Sequence, residues 1–306
     1  MNYKYRTYNL HTHSVYCGHG VGELSDYVRE AKANNIKLLG FSEHCPVKEN
    51  RWANSRMSYD TINTYLDDVE NLKKQELINE DLLEEKNKQV EIDNLFLLNK
   101  EEKQKNNKSI KILTAFECDY FKEYHQYIDE LRERCDYLLF GVHYLNLPGE
   151  KDVQVHYYQL NDKALNVYTD QYIKSLETGF FSFAAHPDLF LSQYFKWDNQ
   201  AKAISKEIIE AAIYYDVPLE VNGGGILKDK IKGFNGEMRY LYPVKEFWEL
   251  AKSYDKLKIV SNADAHAPEN IIKSINKCDQ FAKDLNMEYR SANIDNINET
   301  KKVEFV

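Results

Sequence analysis

Three histidines stand within nine residues near the start of the chain, in the segment NLHTHSVYCGHG that spans residues 9–20. The whole chain has only nine histidines, so this segment holds a third of them. A neutral imidazole can bind a metal ion, and a histidine can also transfer protons near neutral pH. Because a single histidine is more often an ordinary loop residue, a functional prediction depends on partners elsewhere in the chain.

Further candidate ligands lie at the ends of segments that we predict to be β-strands. The predicted strands cover residues 5–13, 36–44, 110–119, 136–143, 180–186, 217–222 and 257–264. The residues at or near their carboxyl ends are His11, His13, His44, Glu117, His143, His186, Asp264 and His266. Imidazole and carboxylate groups are ligands for zinc, manganese or iron. Their repetition at strand ends favours a metal cluster over chance.

The spacing within these strands indicates a common face. Side chains alternate between the two faces of a strand, so His11 and His13 should point the same way. Asp264 and His266 repeat this spacing. Cys118 directly follows Glu117 and is therefore expected on the opposite face.

The elements that position these residues alternate between strand and helix. Helices are predicted at residues 22–34, 58–77, 123–134, 163–177, 199–215, 244–254 and 268–283. Seven such βα units predict a parallel sheet, either open or closed into a barrel. No GxGxxG follows the first strand and the chain has no P-loop, which argues against a dinucleotide-binding fold. In a closed barrel, the carboxyl ends of all strands meet at one rim, where active sites form.

Three segments interrupt the alternation. Residues 79–109 are rich in Glu, Lys, Asn and Gln, and we interpret them as a charged helical or flexible insertion within a single domain of residues 1–306. Residues 146–161 are predicted to form a loop. A glycine-rich loop at residues 223–225 is expected to lead into a polar segment that ends at Pro243.

The composition limits the range of partners and locations. A formal charge of −9 argues against a general nucleic-acid or membrane-surface binder. Without an apolar signal segment or a run of membrane-spanning length, a cytoplasmic location is expected. Five cysteines, an odd number, without a CxxC motif fit a reducing compartment. The oligomeric state is not predicted.

Some cysteines and histidines are predicted to have no role in chemistry. Cys17, Cys45 and Cys118 each lie within two residues of a candidate ligand, and we interpret them as small packing residues rather than thiolate ligands. His125 and His156 fall outside the strand-end pattern. We interpret both as ordinary surface or loop histidines.

Taken together and in order, these motifs resemble those of the PHP family, named after polymerases and histidinol phosphatases. They are HTH (11–13), GHG (18–20), FSEH (41–44), FECDY (116–120), GVHY (141–144), AHPD (185–188) and NADAH (262–266). The length of the chain and the segments LGFSEHCP (39–46) and RWANSRM (51–57) resemble the stand-alone histidinol-phosphatase type, as does the LEVN…G…YP pattern of residues 219–243. The resemblance implies an α/β fold, a distorted TIM-like (β/α)7 barrel with a trinuclear metal site at the C-terminal rim of the strands.

The resemblance also implies how three divalent ions, zinc, manganese or iron, would be held. The first ion would have the ligands His11, His13, Glu117 and Asp264. Glu117 would bridge to a second ion that His143 and His186 complete. The third ion would be held by His19, His44 and His266.

The implied reaction is the hydrolysis of a small-molecule phosphate ester, L-histidinol phosphate, in histidine biosynthesis. A metal-bridging hydroxide would attack phosphorus directly. The candidate catalytic residues are Asp264, His266 and Asp188. The candidate substrate-binding residues are Arg239, Lys228 and Arg56. Glu43 and Asp119 could meet the ammonium and imidazole groups of the substrate.

Two features depart from the family pattern. The insertion at residues 79–109 is unusual. The segment after Asn222 is longer than usual, because the arginine that follows the glycine closely in the family is here Arg239, whereas the nearer cation is Lys228. The phosphate-binding residue is therefore not fixed by the resemblance.

Three alternatives stay open. The first is a PHP-family phosphoesterase that acts on another small phosphate ester, on a nucleotide or on a nucleic-acid 3′ end. The second is a metal-dependent C–N hydrolase of the amidohydrolase type, which also uses HxH on its first strand but usually needs a lysine or carboxylate on the fourth. The third is a non-enzymatic metal-binding scaffold.

Overall fold

The protein is described by a computed structural model that covers residues 7–96 and 109–306. The strands are β1 Tyr8–Asn9, β2 Leu38–His44, β3 Lys111–Cys118, β4 Tyr137–Phe140, β5 Tyr144–Leu147, β6 Glu150–Gln154, β7 Leu219–Asn222, β8 Ile231–Lys232, β9 Met238–Arg239, β10 Ile259–Asn262, β11 Ala292–Asn293 and β12 Glu304–Phe305. The α-helices are α1 Leu24–Ala33, α2 Ile62–Phe96, α3 His125–Arg132, α4 Asp162–Glu177, α5 Asn199–Tyr214, α6 Gly223–Leu227, α7 Lys245–Ala251, α8 Asn270–Leu285 and α9 Ile297–Thr300.

A curled parallel sheet forms the centre of the molecule. Strands β1, β2, β3 and β4 pair in that order, and β7 pairs with β10. Single parallel bridges join these two parts, because Ala184 pairs with both Phe140 and Leu219. On the other side, Thr12 pairs with Ala265. The carboxyl ends of the strands therefore lie along one curved edge.

The two faces of the sheet pack against different groups of side chains. Leu113, Ala115 and Leu139 belong to a small inner cluster, whereas Phe116 and Cys118 belong to the large cluster under the helices. This alternation follows from the period of two along a strand. Cys118 therefore lies on the face opposite to Glu117, as predicted.

The predicted strand at residues 180–186 is reduced to one bridging residue, Ala184. The chain leaves the extended conformation at His186, where φ is +31°, and Pro187 follows. The parallel pairing of this segment therefore ends just before the candidate ligand His186.

The long helix α2 extends the predicted helix of residues 58–77 as far as Phe96. The first part of the predicted insertion, from residue 79 to residue 96, is therefore helical. Residues 97–108 of that insertion lie outside the described residues.

Two predicted loops contain regular structure. Residues 146–161 overlap an antiparallel hairpin formed by β5 and β6. The glycine-rich segment begins the short helix α6, because the side chain of Asn222 accepts hydrogen bonds from the N–H groups of Gly224 (2.8 Å) and Gly225 (3.1 Å). A Cβ on Gly225 would lie 2.2 Å from the ring of Tyr242, so this position requires glycine.

The C-terminal segment covers the amino end of the sheet. Strands β11 and β12 pair, and Ile297, Val303 and Phe305 join the inner cluster. The ring of Phe305 lies 5.8 Å from that of Phe183. This end is filled with apolar side chains, so a site can open only at the carboxyl edge. In the described part of the chain, no helix combines the length and the apolar composition needed to span a membrane.

Candidate active site

Glu117 lies at the centre of a buried cluster at the carboxyl edge of the sheet. One oxygen, Oε2, is 2.9 Å from Nδ1 of His44 and 3.4 Å from Nε2 of His11. The other, Oε1, is 3.0 Å from Nε2 of His186 and 3.4 Å from Nε2 of His143. A carboxylate with two oxygens directed at different histidines has the geometry of a bridging ligand.

Asp264 provides the second carboxylate of the cluster. Its Oδ1 lies 3.2 Å from Nε2 of His13, 3.5 Å from Nε2 of His11 and 3.6 Å from Nδ1 of His266. Asp264 has a positive φ of +45°. A Cβ at Gly224 would lie 2.5 Å from Oδ2 of Asp264, so the carboxylate and the start of α6 are in close contact.

His19 completes the cluster on its exposed side. Its ring centroid is 4.7 Å from that of His266 and 5.4 Å from that of His44. Nδ1 of His19 lies 3.0 Å from the carbonyl oxygen of Cys17, to which only a protonated Nδ1 can donate. The lone pair of His19 is then on Nε2. The structure thus brings all nine predicted ligands into one cluster.

The residues of this cluster fit a group of metal ions. Nε2 of His11, Nε2 of His13, Nε2 of His266 and Oδ1 of Asp264 are buried without a hydrogen-bond partner among the described residues. Leaving such atoms unpaired costs about 1–3 kcal/mol each, and a metal ion would satisfy them together. Triads with convergent donor atoms are His11–His13–Glu117, His13–His44–His266, His44–Glu117–His143 and Cys17–His19–His266. Nitrogen and carboxylate donors suit zinc, manganese or iron.

The pKa values of the two carboxylates keep them ionised. Although burial raises it, the pKa of Glu117 is held well below its usual value by His143, His11 and His44. Burial also raises the pKa of Asp264, but His11, His13 and His266 outweigh this effect and hold that pKa well below its usual value. Both groups would therefore bind a metal ion in the charged form.

Several histidines are held in the neutral form that binds metals. Burial lowers the pKa of His13. For His266, burial and the neighbouring His13 together lower the pKa to about 4. Burial also places the pKa of His44 well below its usual value. His11 differs, because Glu220, Asp264 and Glu117 outweigh burial and raise its pKa.

Two further carboxylates orient the candidate ligands His11 and His143 from outside the cluster. Glu220 on β7 accepts a hydrogen bond from Nδ1 of His11 (3.0 Å), which directs Nε2 of His11 into the cluster. Asp119 does the same for His143, whose Nδ1 lies 3.1 Å from Oδ2 of Asp119. Carboxylates of this kind fix the ring and the tautomer of a metal-binding histidine. Sequence reasoning missed Glu220, although its position on a predicted strand, two residues before the strand's end, could have indicated it.

A cleft of about 720 Å³ opens over the cluster. Its lining residues include the ligands His19, His44, His143, His186, Asp264 and His266. Other lining residues with polar side chains are Asn54, Ser55, Arg56, Tyr144, Gln154, His156, Tyr157, Lys228, Tyr242 and Asn270. The cleft therefore combines the candidate metal ligands with cationic and neutral hydrogen-bonding groups.

The three predicted phosphate-binding cations differ in their access to the cleft. Lys228 lines the cleft, with Nζ 5.6 Å from the ring centroid of Tyr242. Arg56 also lines the cleft, but its guanidinium is buried and donates to Asp119 (2.9 Å) and to the carbonyl of Cys45 (2.9 Å). Arg239 is not a lining residue, since its guanidinium donates to the carbonyls of Leu191, Tyr240 and Leu241.

Asp188, a predicted catalytic residue, is also turned away from the cleft. It is fully buried, and Oδ2 accepts hydrogen bonds from the N–H of Val244 and from Nε1 of Trp248 (3.2 Å). Burial raises the pKa of Asp188 to about 6. Its contacts connect the turn after His186 to the start of α7.

The two suggested partners for a substrate ammonium or imidazole do not line the cleft either. Glu43 is buried and accepts hydrogen bonds from the N–H (2.7 Å) and the hydroxyl (2.5 Å) of Ser14. Asp119 is occupied by His143 and Arg56. Both carboxylates support the loops around the cluster.

The two histidines left outside the strand-end pattern have different positions. His125 is exposed at the start of α3, where Nδ1 lies 3.0 Å from the hydroxyl of Tyr120. His156 lines the cleft, and its ring centroid is 6.0 Å from that of His143. The turn signal Pro148–Gly149 predicts a hairpin that returns the chain to the site, and this signal could have identified His156.

Cys17 is the cysteine whose Sγ lies close to the ligand atoms of two candidate metal ligands, His19 and His266. Its Sγ donates to the carbonyl of Ser14 (3.2 Å) and accepts from the N–H of Gly20 (3.1 Å). Burial raises the pKa of Cys17 to about 12. In this state the side chain is a thiol that packs the loop around His19, and its role as a packing residue stays a prediction.

A curled parallel sheet with imidazole and carboxylate groups at its carboxyl edge defines an α/β protein with a candidate metal site. The family model of the PHP domain matches residues 9–224, and the chain belongs to the PHP domain family. None of the curated proteins compared with the chain matched it.

Two solved structures share the fold. One is the histidinol phosphate phosphatase HisK from Lactococcus lactis subsp. lactis, solved with zinc, L-histidinol and phosphate. It is 14% identical, with a TM-score of 0.64 over 98% of this chain and 99% of that chain. The other is a proposed histidinol phosphatase, HisK, from Listeria monocytogenes. It is 16% identical, with a TM-score of 0.62 over 86% of this chain and 96% of that chain.

Proposed function

We propose that the protein is a metal-dependent histidinol-phosphatase, which hydrolyses L-histidinol phosphate to L-histidinol and phosphate. The observation that carries the proposal is the joint opening of a buried His/Glu/Asp cluster and of the cation Lys228 into one cleft. Metal-ligating groups next to a cation suit a phosphate monoester. Membership of the PHP family and the similarity to HisK structures favour histidinol phosphate among such esters.

The proposed architecture is a distorted (β/α)7 barrel in a single domain of residues 1–306. The bridges at Ala184 and at Thr12–Ala265 support it, because they continue the parallel pairing between the two sheets. In such a barrel the strand ends form a common rim, which is where the nine candidate ligands lie.

The proposed metal content is three divalent ions. His11, His13, Glu117 and Asp264 would hold the first, and Glu117, His143 and His186 the second. His19, His44 and His266 would hold the third. Bound ions would supply Lewis acidity towards phosphate oxygens and an activated water.

The residues of the chain have three tasks in this reaction. Glu220 and Asp119 hold His11 and His143 in one tautomer. Lys228 and Arg56 place positive charge beside the cleft, which stabilises charge on the phosphoryl oxygens. Asp264 keeps its carboxylate ionised, so its main task is to bind metal rather than to donate the proton that the leaving alkoxide needs.

The test is phosphate release from a panel of monoesters by protein of measured metal content. The panel contains L-histidinol phosphate, glycerol phosphate, a nucleoside monophosphate and p-nitrophenyl phosphate. We expect L-histidinol phosphate to be strongly preferred. The rate of its hydrolysis should fall by at least about a hundredfold in His13→Ala. His125→Ala, on the exposed start of α3, is the matched control and should keep full activity.

The results also distinguish the alternatives. Preference for a nucleotide or another ester would retain the phosphatase chemistry but reject the proposed substrate. Metal-loaded protein that releases no phosphate from any ester would reject the chemistry as well. In ¹⁸O-labelled water, direct displacement should place one solvent oxygen in each phosphate, and a trapped phosphohistidine would contradict it.

A further inference from the structure

One imidazole in the cleft, that of His156, has no hydrogen-bond partner among the described residues. Neither ring nitrogen of His156 forms a hydrogen bond with another residue in the described ranges 7–96 and 109–306. The hydrogen bond that Gln193 donates to His156 goes to the carbonyl oxygen and leaves the ring free. Because a polar side chain in a cleft is normally paired, the free imidazole of His156 is available to a ligand.

The backbone fixes His156 relative to the cluster. The N–H of Val155 donates to the carbonyl of His143 (2.8 Å), and Nε2 of Gln193 donates to the carbonyl of His156 (2.5 Å). The residue before His156 is thus tied directly to a candidate ligand. Because the backbone is held in this way, His156 can bind a ligand with little loss of backbone freedom.

Lys228 and His156 both lie next to the aromatic ring of Tyr242. The centroid of the Tyr242 ring is 6.1 Å from the His156 ring, 5.8 Å from the His186 ring and 5.6 Å from Nζ of Lys228. Lys228 is exposed and forms no ion pair with the residues that the structure describes. A cation and an imidazole therefore lie beside the edge of the cluster where Nε2 of His143 and Nε2 of His186 are 3.1 Å apart.

The two arginines that are candidate phosphate ligands, Arg56 and Arg239, are less available to bind a phosphate group than Lys228. The guanidinium of Arg56 already donates to Asp119 and Cys45, and that of Arg239 donates to three carbonyls. A phosphate ester at the edge formed by His143 and His186 would therefore meet His156 and Lys228 as its unengaged donors. An ammonium and an imidazole N–H are suitable partners for anionic oxygens.

We propose that His156 and Lys228 form the subsite for the phosphoryl oxygens of the substrate, next to the His143–His186 edge of the cluster. This inference rests on the proposed phosphatase function and adds its anion-binding residues. His156 is a binding residue in this arrangement, and it recognises phosphate rather than the alcohol that leaves.

The test measures binding rather than turnover. Metal-loaded wild-type protein, His156→Phe and Lys228→Met are titrated by calorimetry with inorganic phosphate and, separately, with L-histidinol. Each substitution should weaken phosphate binding about tenfold, as expected for the loss of one charge-assisted hydrogen bond. L-histidinol binding should stay within about twofold, because the alcohol lacks the phosphoryl oxygens. His125→Phe is the matched control and should change neither.

Three results would overturn the subsite. Unchanged phosphate affinity in His156→Phe would remove His156 from it. A loss of L-histidinol binding with phosphate binding intact would place His156 on the leaving-group side. A loss of bound metal from His156→Phe would show a structural role, and Lys228→Met, with its exposed side chain, would then still test the anion site.

Failure of the subsite and failure of the proposed function are distinguishable. If phosphate binding depends on His156 but L-histidinol phosphate is not hydrolysed, the subsite stands and the proposed substrate is wrong. If L-histidinol phosphate is hydrolysed and phosphate binding is insensitive to both substitutions, the function stands and the subsite is wrong.

Discussion

Glu117 and Asp264 show how single residues unite distant parts of the chain. Glu117 contacts histidines from four other segments, and Asp264 contacts His11 and His13 near the start of the chain. Their charges and those of the histidines are mutually dependent, since each carboxylate stays ionised because imidazoles surround it. The cluster is therefore expected to respond strongly to the residues that orient it.

The first prediction concerns Glu220. In Glu220→Gln, Nδ1 of His11 loses a charged acceptor, and we expect metal affinity to fall about 10–100-fold. The measurement is competition with a chelating indicator. Glu207→Gln, an exposed position on α5, is the control and should bind metal like the wild type. Equal metal affinities in the two variants would show that Glu220 does not support the cluster.

At the scale of elements, segments outside the parallel sheet carry most of the residues around the cleft. The hairpin β5–β6 brings Gln154 and His156 to it, the loop before α2 brings Arg56, and the C-terminal end of α6 leads to Lys228. The segment with β8 and β9 is held down by Arg239, whose guanidinium reaches Leu191 on another segment. Arg239 thus joins two segments instead of facing the cleft.

The second prediction tests this role of Arg239. Arg239→Met removes three hydrogen bonds to carbonyls, and the free energy of unfolding should fall by about 1–3 kcal/mol. The KM for L-histidinol phosphate should not change, because the guanidinium does not line the cleft. Denaturant unfolding and steady-state kinetics provide the two measurements, with Lys232→Met on the same hairpin as the control. A raised KM at unchanged stability would return Arg239 to the substrate site.

At the scale of the whole molecule, the two ends of the sheet have different roles. The amino end is filled by the C-terminal segment and its apolar side chains, whereas the carboxyl edge contains buried polar atoms that have no hydrogen-bond partner within residues 7–96 and 109–306. A folded state with such atoms is stabilised by anything that satisfies them. Metal ions should therefore contribute to the stability of the entire chain.

The third prediction concerns metal removal. Dialysis of the wild-type protein against a chelator should lower the melting temperature by several degrees, because the metals bind the folded state more tightly than the unfolded one. Addition of zinc or manganese should restore it, as followed by scanning calorimetry. His13→Ala should respond much less to the same treatment. A wild-type melting temperature that is insensitive to the chelator would contradict a metal cluster at this edge.

The sequence by itself determined the parallel sheet and the common edge where the candidate ligands meet, but left open whether the sheet closes. Strand alternation and the common direction of parallel strands are local and repetitive rules, so residues at strand ends could be placed together without knowing any contact. The same rules located Cys118 on the opposite face. They did not describe the segment around Ala184, where the chain turns at His186 instead of completing a strand.

Only the tertiary structure decided which polar side chains reach the cleft. Lys228, Arg56 and Arg239 are alike in sequence terms, yet the first forms no ion pair with any described residue, the second binds Asp119 and the third binds three carbonyls. The positions of His156 and Glu220 are likewise set by distant residues, since Gln193 donates to the carbonyl of His156 and Glu220 accepts from His11. The direction of a side chain in an irregular segment is set by packing and hydrogen bonds with distant residues, and no local periodicity encodes those contacts.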